Sequence, residues 1–108
     1  MARYMIQFSY TPEAWAALAK NPEDRTQVLA GLMDGLGGRL ISLDYTMGDY
    51  DGVAIGELPD DTAAVAGVIA AMSPGHIRAT KTTRLIPADE ILAALQAAGR
   101  ITYRGPQQ

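Results

Sequence analysis

The 108-residue chain contains no cysteine. Disulfides, thiolate metal sites and a cysteine nucleophile are therefore excluded. There is a single histidine, so a histidine-based metal site would have to form across subunits, and neither a metal nor a cofactor is expected. Basic charge is also short: nine Lys and Arg stand against twelve Asp and Glu, for a net charge of −3. The basic residues are scattered, which argues against nucleic acid or an anionic membrane surface as a partner. No apolar stretch approaches the roughly 20 residues that cross a bilayer. The first strand-like run begins at Arg3, which leaves no room for a signal peptide, and the expectation is a cytoplasmic protein.

What is present is ordinary for a globular chain, with 48% hydrophobic and 19% charged residues, enough apolar material for one core. No linker, repeat or low-complexity segment interrupts it, so a single domain over 1–108 is expected, with 100–108 a loose tail. "RYMIQFSY" (3–10) alternates with the period of a half-buried strand. "TPEAWAALAK" then offers Thr11 as N-cap and Pro12 at the first helical position. Asn21 and Pro22 restart a second helix, with a stripe of Val28, Leu29, Leu32, Met33 and Leu36 that ends at Gly37–Gly38.

"RLISLDYTM" (39–47) and "VAIGEL" (53–58) read as two strands of a hairpin around "GDYDG". "PDDTAAVAGVIAAMS" carries Val65, Val68, Ile69 and Met72 at helical spacing and stops at Pro74–Gly75. "HIRATKTTRLI" (76–86) is a fourth strand and "PADEILAALQAAG" (87–99) a closing helix. The order is β-α-β-β-α-β with a split first helix and an extra C-terminal one. That is an α+β, ferredoxin-like arrangement with an antiparallel four-stranded sheet covered by helices on one face.

Alternation assigns Tyr4, Ile6, Phe8, Ile41, Leu43, Val53 and Ile55 to the helix-covered face. Met5, Gln7, Ser9, Leu40, Ser42, Asp44, Ala54 and Gly56 fall on the other, with a run from strand four in which His76, Arg78, Thr80, Thr82 and Arg84 alternate. This second face is small and polar yet poor in full charges, whereas solvated faces usually carry charge. It suits a self-complementary contact between two copies around a partly polar cavity. A homodimer is expected, with a trimer through strand edges, or a higher oligomer, as the alternative.

"MGDYDGVAIGELPDDTAAVA", followed by "IRATKTTRLI", resembles the GYD-domain family of small bacterial proteins. The matching positions are Gly48, Tyr50, Asp51, Pro59 and Asp60, and the likeness extends over most of 4–95. The resemblance implies an oligomeric, ferredoxin-like fold of the dimeric α/β-barrel type and implies no particular reaction.

The Gly48–Gly52 stretch reads first as a turn, with the glycines supplying unusual backbone angles and Asp49 or Asp51 capping it. Turn chemistry does not require Tyr50, so Tyr50 and Asp51 are also candidates for the rim of a site, as hydrogen-bond donor and proton acceptor. His76 is the third candidate for proton transfer. Ligand-binding candidates are Gln7, Ser9, Arg78 and Thr80 on the second sheet face, with Tyr50 and Asp51 at its edge. Trp15 and Leu18 anchor the first helix in the core. Ser42 and Ser73 lack the strand-turn-helix setting of a nucleophile elbow, and "GLGG" closes a helix where a dinucleotide loop would open one. Three functions remain open: binding of an unknown small molecule in a sensing, carrier or accessory role; a cofactor-free isomerase, cyclase or oxygenase; and a structural assembly module.

Overall fold

The computed structural model describes residues 1–107. Its elements follow the order β1 (Ala2–Tyr10), α1 (Pro12–Lys20), α2 (Thr26–Gly35), β2 (Arg39–Tyr45), β3 (Gly52–Leu58), α3 (Asp61–Met72), β4 (Ile77–Leu85) and α4 (Ala88–Ala98). The strands form one sheet in the order β2-β3-β1-β4, with every neighbour antiparallel. The expected ferredoxin-like topology is the observed one. Past Ala98 the described residues form neither helix nor strand, and Gln108 of the expected loose tail lies outside them.

Side-chain caps start two of the helices, the first at the Thr11 that the sequence singled out. Thr11 Oγ1 accepts the Ala14 N–H at 3.1 Å with Pro12 in the first turn, and Asp60 Oδ1 accepts the Ala63 N–H at 2.9 Å. Each side chain satisfies a backbone donor that the helix cannot. The second helix differs from expectation, for it begins at Thr26 and not at Pro22. Asp24 explains the delay: its Oδ1 accepts both the N–H of Thr26, at 2.9 Å, and its hydroxyl. An aspartate turn of this kind competes with helix for the same backbone donors.

The core lies between the sheet and α1–α3. One cluster joins Tyr4, Met33, Leu58 and Ala64, and a second joins Phe8, Tyr10 and Ala14. Residues directly opposite each other in an antiparallel ladder share a face, so the register fixes which side chains point inward. Ile6 pairs with Ala54, Tyr4 with Gly56 and Phe8 with Gly52. The small residues of β3 therefore face the helices, while Val53 and Ile55 face outward beside Gln7 and Met5. This reverses the expected assignment of β3.

The cause is close packing. A Cβ on Gly52 would fall within the Phe8 ring, and one on Gly56 would meet the Met33 thioether at 3.0 Å. The inner face of β3 has to be small because large side chains from β1 and α2 press on it. In β2 the register shifts between Leu40 and Ser42, which turns Leu40 inward opposite Gly56 and leaves Ile41 exposed.

α3 is rotated in the same sense. Ala64 is its buried residue, and a Cβ on Gly67 would stand 2.9 Å from Leu36, which caps the end of α2. Of the expected stripe, Val65 and Ile69 are 57% and 60% exposed. The small side of α3 meets the sheet and α2, Val68 of the expected stripe stays on the inner side, and Val65 and Ile69 point away.

Candidate functional site

The connection between β2 and β3 holds the Gly48–Gly52 stretch. Thr46 closes it from one side, donating its N–H to the Asp51 carbonyl at 2.8 Å and its hydroxyl to the Tyr50 carbonyl at 2.6 Å. From the other side the Asp51 N–H extends the ladder to the Phe8 carbonyl at 2.9 Å. The Asp51 Oδ2 then accepts two donors, the backbone N–H of Tyr10 at 2.9 Å and the indole N–H of Trp15 at 3.0 Å. One carboxylate thus fastens the loop to the end of β1 and to α1. Neither Gly48 nor Gly52 has a positive φ; Gly37 and Gly75 do. The unusual backbone angles expected at the two glycines of the stretch are absent, and Gly52 is required by the Phe8 ring above it.

The fastened loop frames an aromatic cluster. Tyr10 stands edge-on to Phe8, with ring centroids 5.4 Å apart, and to Trp15, at 5.1 Å. Such arrangements favour the positive ring edge against the negative face. The Tyr10 and Tyr45 hydroxyls lie 3.0 Å apart. Burial first, and then this hydrogen bond, push the Tyr10 phenol well above its ordinary pKa, against the opposing charge of Arg25. At neutral pH Tyr10 is a fixed neutral hydroxyl.

Behind this cluster a cavity of about 340 Å³ opens between the inner sheet face, α2 and α3. Its walls are apolar, with Leu29, Leu32 and Met33 from α2, Val68 and Ala71 from α3, and Ile6 and Phe8 from β1. Its polar lining residues are Tyr10, Arg25, His76 and Thr80. The first three gather where β1 ends and β4 begins. The Thr11 N–H donates to the His76 carbonyl at 3.0 Å, and Pro74 with the positive-φ Gly75 turns the chain from α3 into that position. Arg25 donates from Nη1 to Glu23 Oε1 at 2.5 Å, which holds its charge more firmly. The volume lies in the range of small-molecule pockets, and an apolar wall with a few convergent polar groups is their usual make-up.

The sequence profile of the GYD domain matches residues 4–95. The chain belongs to the GYD-domain family. No match was found among curated proteins. Among solved structures, this GYD-domain chain resembles MtbAldR with a TM-score of 0.57 at 13% identity, over 80% of this chain and 52% of that one. It therefore spans about half of MtbAldR, and the likeness is one of fold. A NIPSNAP domain protein from Burkholderia xenovorans aligns over 82% of this chain and 95% of its own length, at 16% identity and a TM-score of 0.48.

The residues singled out from the sequence do not converge on one place. Gln7 pairs with Val53 and Lys81 on the outer sheet face. Ser9 follows it on the same side by alternation, 1% exposed and with no partner for its hydroxyl among the described residues. Arg78 is exposed and sits at the irregularity where Ser9 pairs with Ala79 and Tyr10 with Ile77. Thr80 pairs with Phe8 and faces inward, donating weakly to the Met72 sulfur at 3.9 Å. Tyr50 is half-buried in the loop, and the Asp51 carboxylate is engaged as described. Only His76 and Thr80 line the cavity. Tyr10 and Arg25 complete its polar end, and neither was marked as functional by the sequence: Tyr10 has the parity of a core residue, and Arg25 falls in the expected second helix outside its apolar stripe. Among the described residues no three His, Asp or Glu side chains gather as metal ligands, and no helix is long and apolar enough to cross a membrane.

Proposed function

We propose that this GYD-domain chain is a homo-oligomeric small-molecule-binding protein, acting as a sensor, carrier or accessory component, whose ligand enters the cavity between the sheet and helices α2 and α3. The observation that carries this reading is the cavity itself, about 340 Å³ of largely apolar space ending in Tyr10, Arg25 and His76. The ligand that suits it has an apolar body and one polar or anionic group. The Arg25 guanidinium and the Tyr10 hydroxyl would take the polar group, and the α2 and α3 walls would take the body. On this reading the ligand lies inside the subunit, away from the outer sheet face.

Assembly has separate support. With Val53 and Ile55 turned outward beside Met5 and Leu85 on the same face, the outer sheet face is half-buried and more apolar than alternation suggested. A self-complementary contact through such a patch is the common route to a twofold dimer.

Native mass spectrometry of the gently purified protein tests both parts. A defined oligomer carrying stoichiometric extra mass supports the reading. For protein recovered without extra mass, the anionic dye anilinonaphthalene sulfonate serves as the probe. Saturable binding that is lost on substituting Ala71→Leu in the cavity wall supports the site, and binding indifferent to that change refutes it.

A further inference from the structure

Helix α4 is folded but covered by nothing. Every one of its residues is exposed, including Ile91, Leu92 and Leu95, the last at 64%. Beyond it Ile101 and Tyr103 are exposed as well. An 11-residue helix is too short to be stable alone in water, where about 12–15 residues are marginal even for strong formers. Only Ile86 and Pro87 separate it from β4, and it runs on past the strand without packing on the helices of its own chain. The molecule is drawn out in consequence. Its radius of gyration is 17.9 Å, against about 13 Å for a compact chain of this length. Its accessible surface is 7631 Å², against about 5,800 Å² for a compact monomer of this mass. The excess exceeds the roughly 800 Å² that each partner contributes to a standard interface.

A second uncovered apolar face lies elsewhere on the same chain. Val65, Ile69 and Met72 form an exposed stripe along one flank of α3 at i, i+4 and i+7, with the Met72 sulfur at its inner edge beside Thr80. After Asp61 this helix carries no charge, and after Glu90 neither does α4. Their 12 and 11 residues give nearly equal lengths, about 16–18 Å. The charges that do occur fix an orientation. Both helices begin acidic, with Asp60 and Asp61 on α3 and with Asp89 and Glu90 on α4, whereas Arg100 and Arg104 follow α4. An antiparallel arrangement brings these arginines to the acidic start of α3 and keeps the two acidic turns apart; a parallel one stacks like charges.

We propose that α4 of one chain packs antiparallel on the Val65–Ile69–Met72 stripe of α3 in a second copy, so that Leu95 lies against Val65 and Ile91 against Ile69. The contact involves neither the cavity nor its ligand, and it stands if the cavity proves empty.

The absence of cysteine makes a clean test. Chains carrying Leu95→Cys and Val65→Cys singly, distinguished by a mass tag, are co-expressed and mildly oxidised. Single substitutions cannot crosslink within one chain, and both positions are exposed, so folding is preserved. The expected result is a dominant 95–65 disulfide between unlike chains, lost when Leu92→Glu is added to the arm. Four results would overturn the proposal: a dominant 95–95 disulfide, meaning that arms pair with each other; a 91–65 disulfide from Ile91→Cys exceeding 95–65, meaning a parallel arrangement; no interchain disulfide; or attachment of the arm to a different protein.

Discussion

Trp15 and Asp51 meet at 3.0 Å, the indole N–H donating to the same Oδ2 oxygen that accepts the Tyr10 backbone N–H. The aspartate at the end of the loop is thus a fastener between β1, α1 and the β2–β3 connection. Because one oxygen takes both donors, an asparagine whose amide oxygen occupies that position can keep both bonds. Asp51→Asn is expected to be mild and Asp51→Ala to cost roughly 1–3 kcal/mol, the usual penalty for leaving such donors unpaired. Most of that cost falls on the Tyr10 N–H, since Trp15 is 41% exposed and its indole can turn to water. Urea denaturation followed by Trp15 fluorescence measures both variants. Equal losses in the two would mean that the negative charge, and not the oxygen's position, matters at Asp51.

The glycines flanking this aspartate have different duties. Nothing lies within 4 Å of a Cβ on Gly48, whereas one on Gly52 runs into the Phe8 ring. Gly48→Ala is expected to be neutral or to stabilise by about 0.4–1 kcal/mol, through a less flexible unfolded chain. Gly52→Ala is expected to destabilise by about 1–3 kcal/mol, the range for overpacking, or more because an aromatic ring cannot yield. Gly56→Ala should fall between them, since the Met33 thioether that it meets is flexible. Thermal unfolding of the three variants gives the ranking, and a destabilising Gly48→Ala would contradict it.

These glycines also show where sequence pattern stopped being informative. The strand and helix order was legible because alternation, proline and capping residues agree at nearly every boundary. Facing was not legible in β3, where hydrophobicity alone turns Val53 and Ile55 inward. Packing decides otherwise, since the inner positions sit under Phe8 and Met33 and admit only Gly52, Ala54 and Gly56. The same rule places Ala64 and Gly67 of α3 against the sheet and α2 and turns Val65 and Ile69 outward. The cavity is a consequence of those small residues and could not be read from periodicity. Of the candidate residues, His76 and Thr80 reach it, while Asp51 answers the question of the loop as a structural tie.

The cavity makes a prediction of its own about volume. Ala71 lines it, whereas Ala14 is 6% exposed and enclosed by Phe8, Tyr10, Leu18, Leu43 and Ile77. Ala71→Leu adds apolar atoms to open space and is expected to raise stability by about 0.5–2 kcal/mol, as cavity filling does. Ala14→Leu forces the same atoms into a filled cluster and should cost about 1–3 kcal/mol. Chemical denaturation of the two variants compares them directly. A loss of stability from Ala71→Leu as large as that from Ala14→Leu would mean that the space is closed in solution.

Tyr10 sets the behaviour of the fold at alkaline pH. Burial and the Tyr45 hydroxyl raise its folded-state pKa well above the ordinary 10.0, and hydrogen bonding to Asp61 followed by burial raises that of Tyr4. In each case the folded state holds the proton more tightly than the unfolded chain does. The stabilisation is therefore complete below the ordinary tyrosine value and is lost progressively as pH rises above it toward the folded value, where the unfolded state gives up protons that the folded state keeps. Stability should be insensitive to these groups near neutrality and fall steeply above about pH 10. Phenolate absorbance should show Tyr4 and Tyr10 ionising late, together with unfolding. Tyr10→Phe removes one late ionisation and flattens the alkaline decline, at the cost of the hydrogen bond to Tyr45. An unchanged pH slope in Tyr10→Phe would mean that Tyr10 titrates freely in the folded protein, and that the polar end of the cavity is open to water.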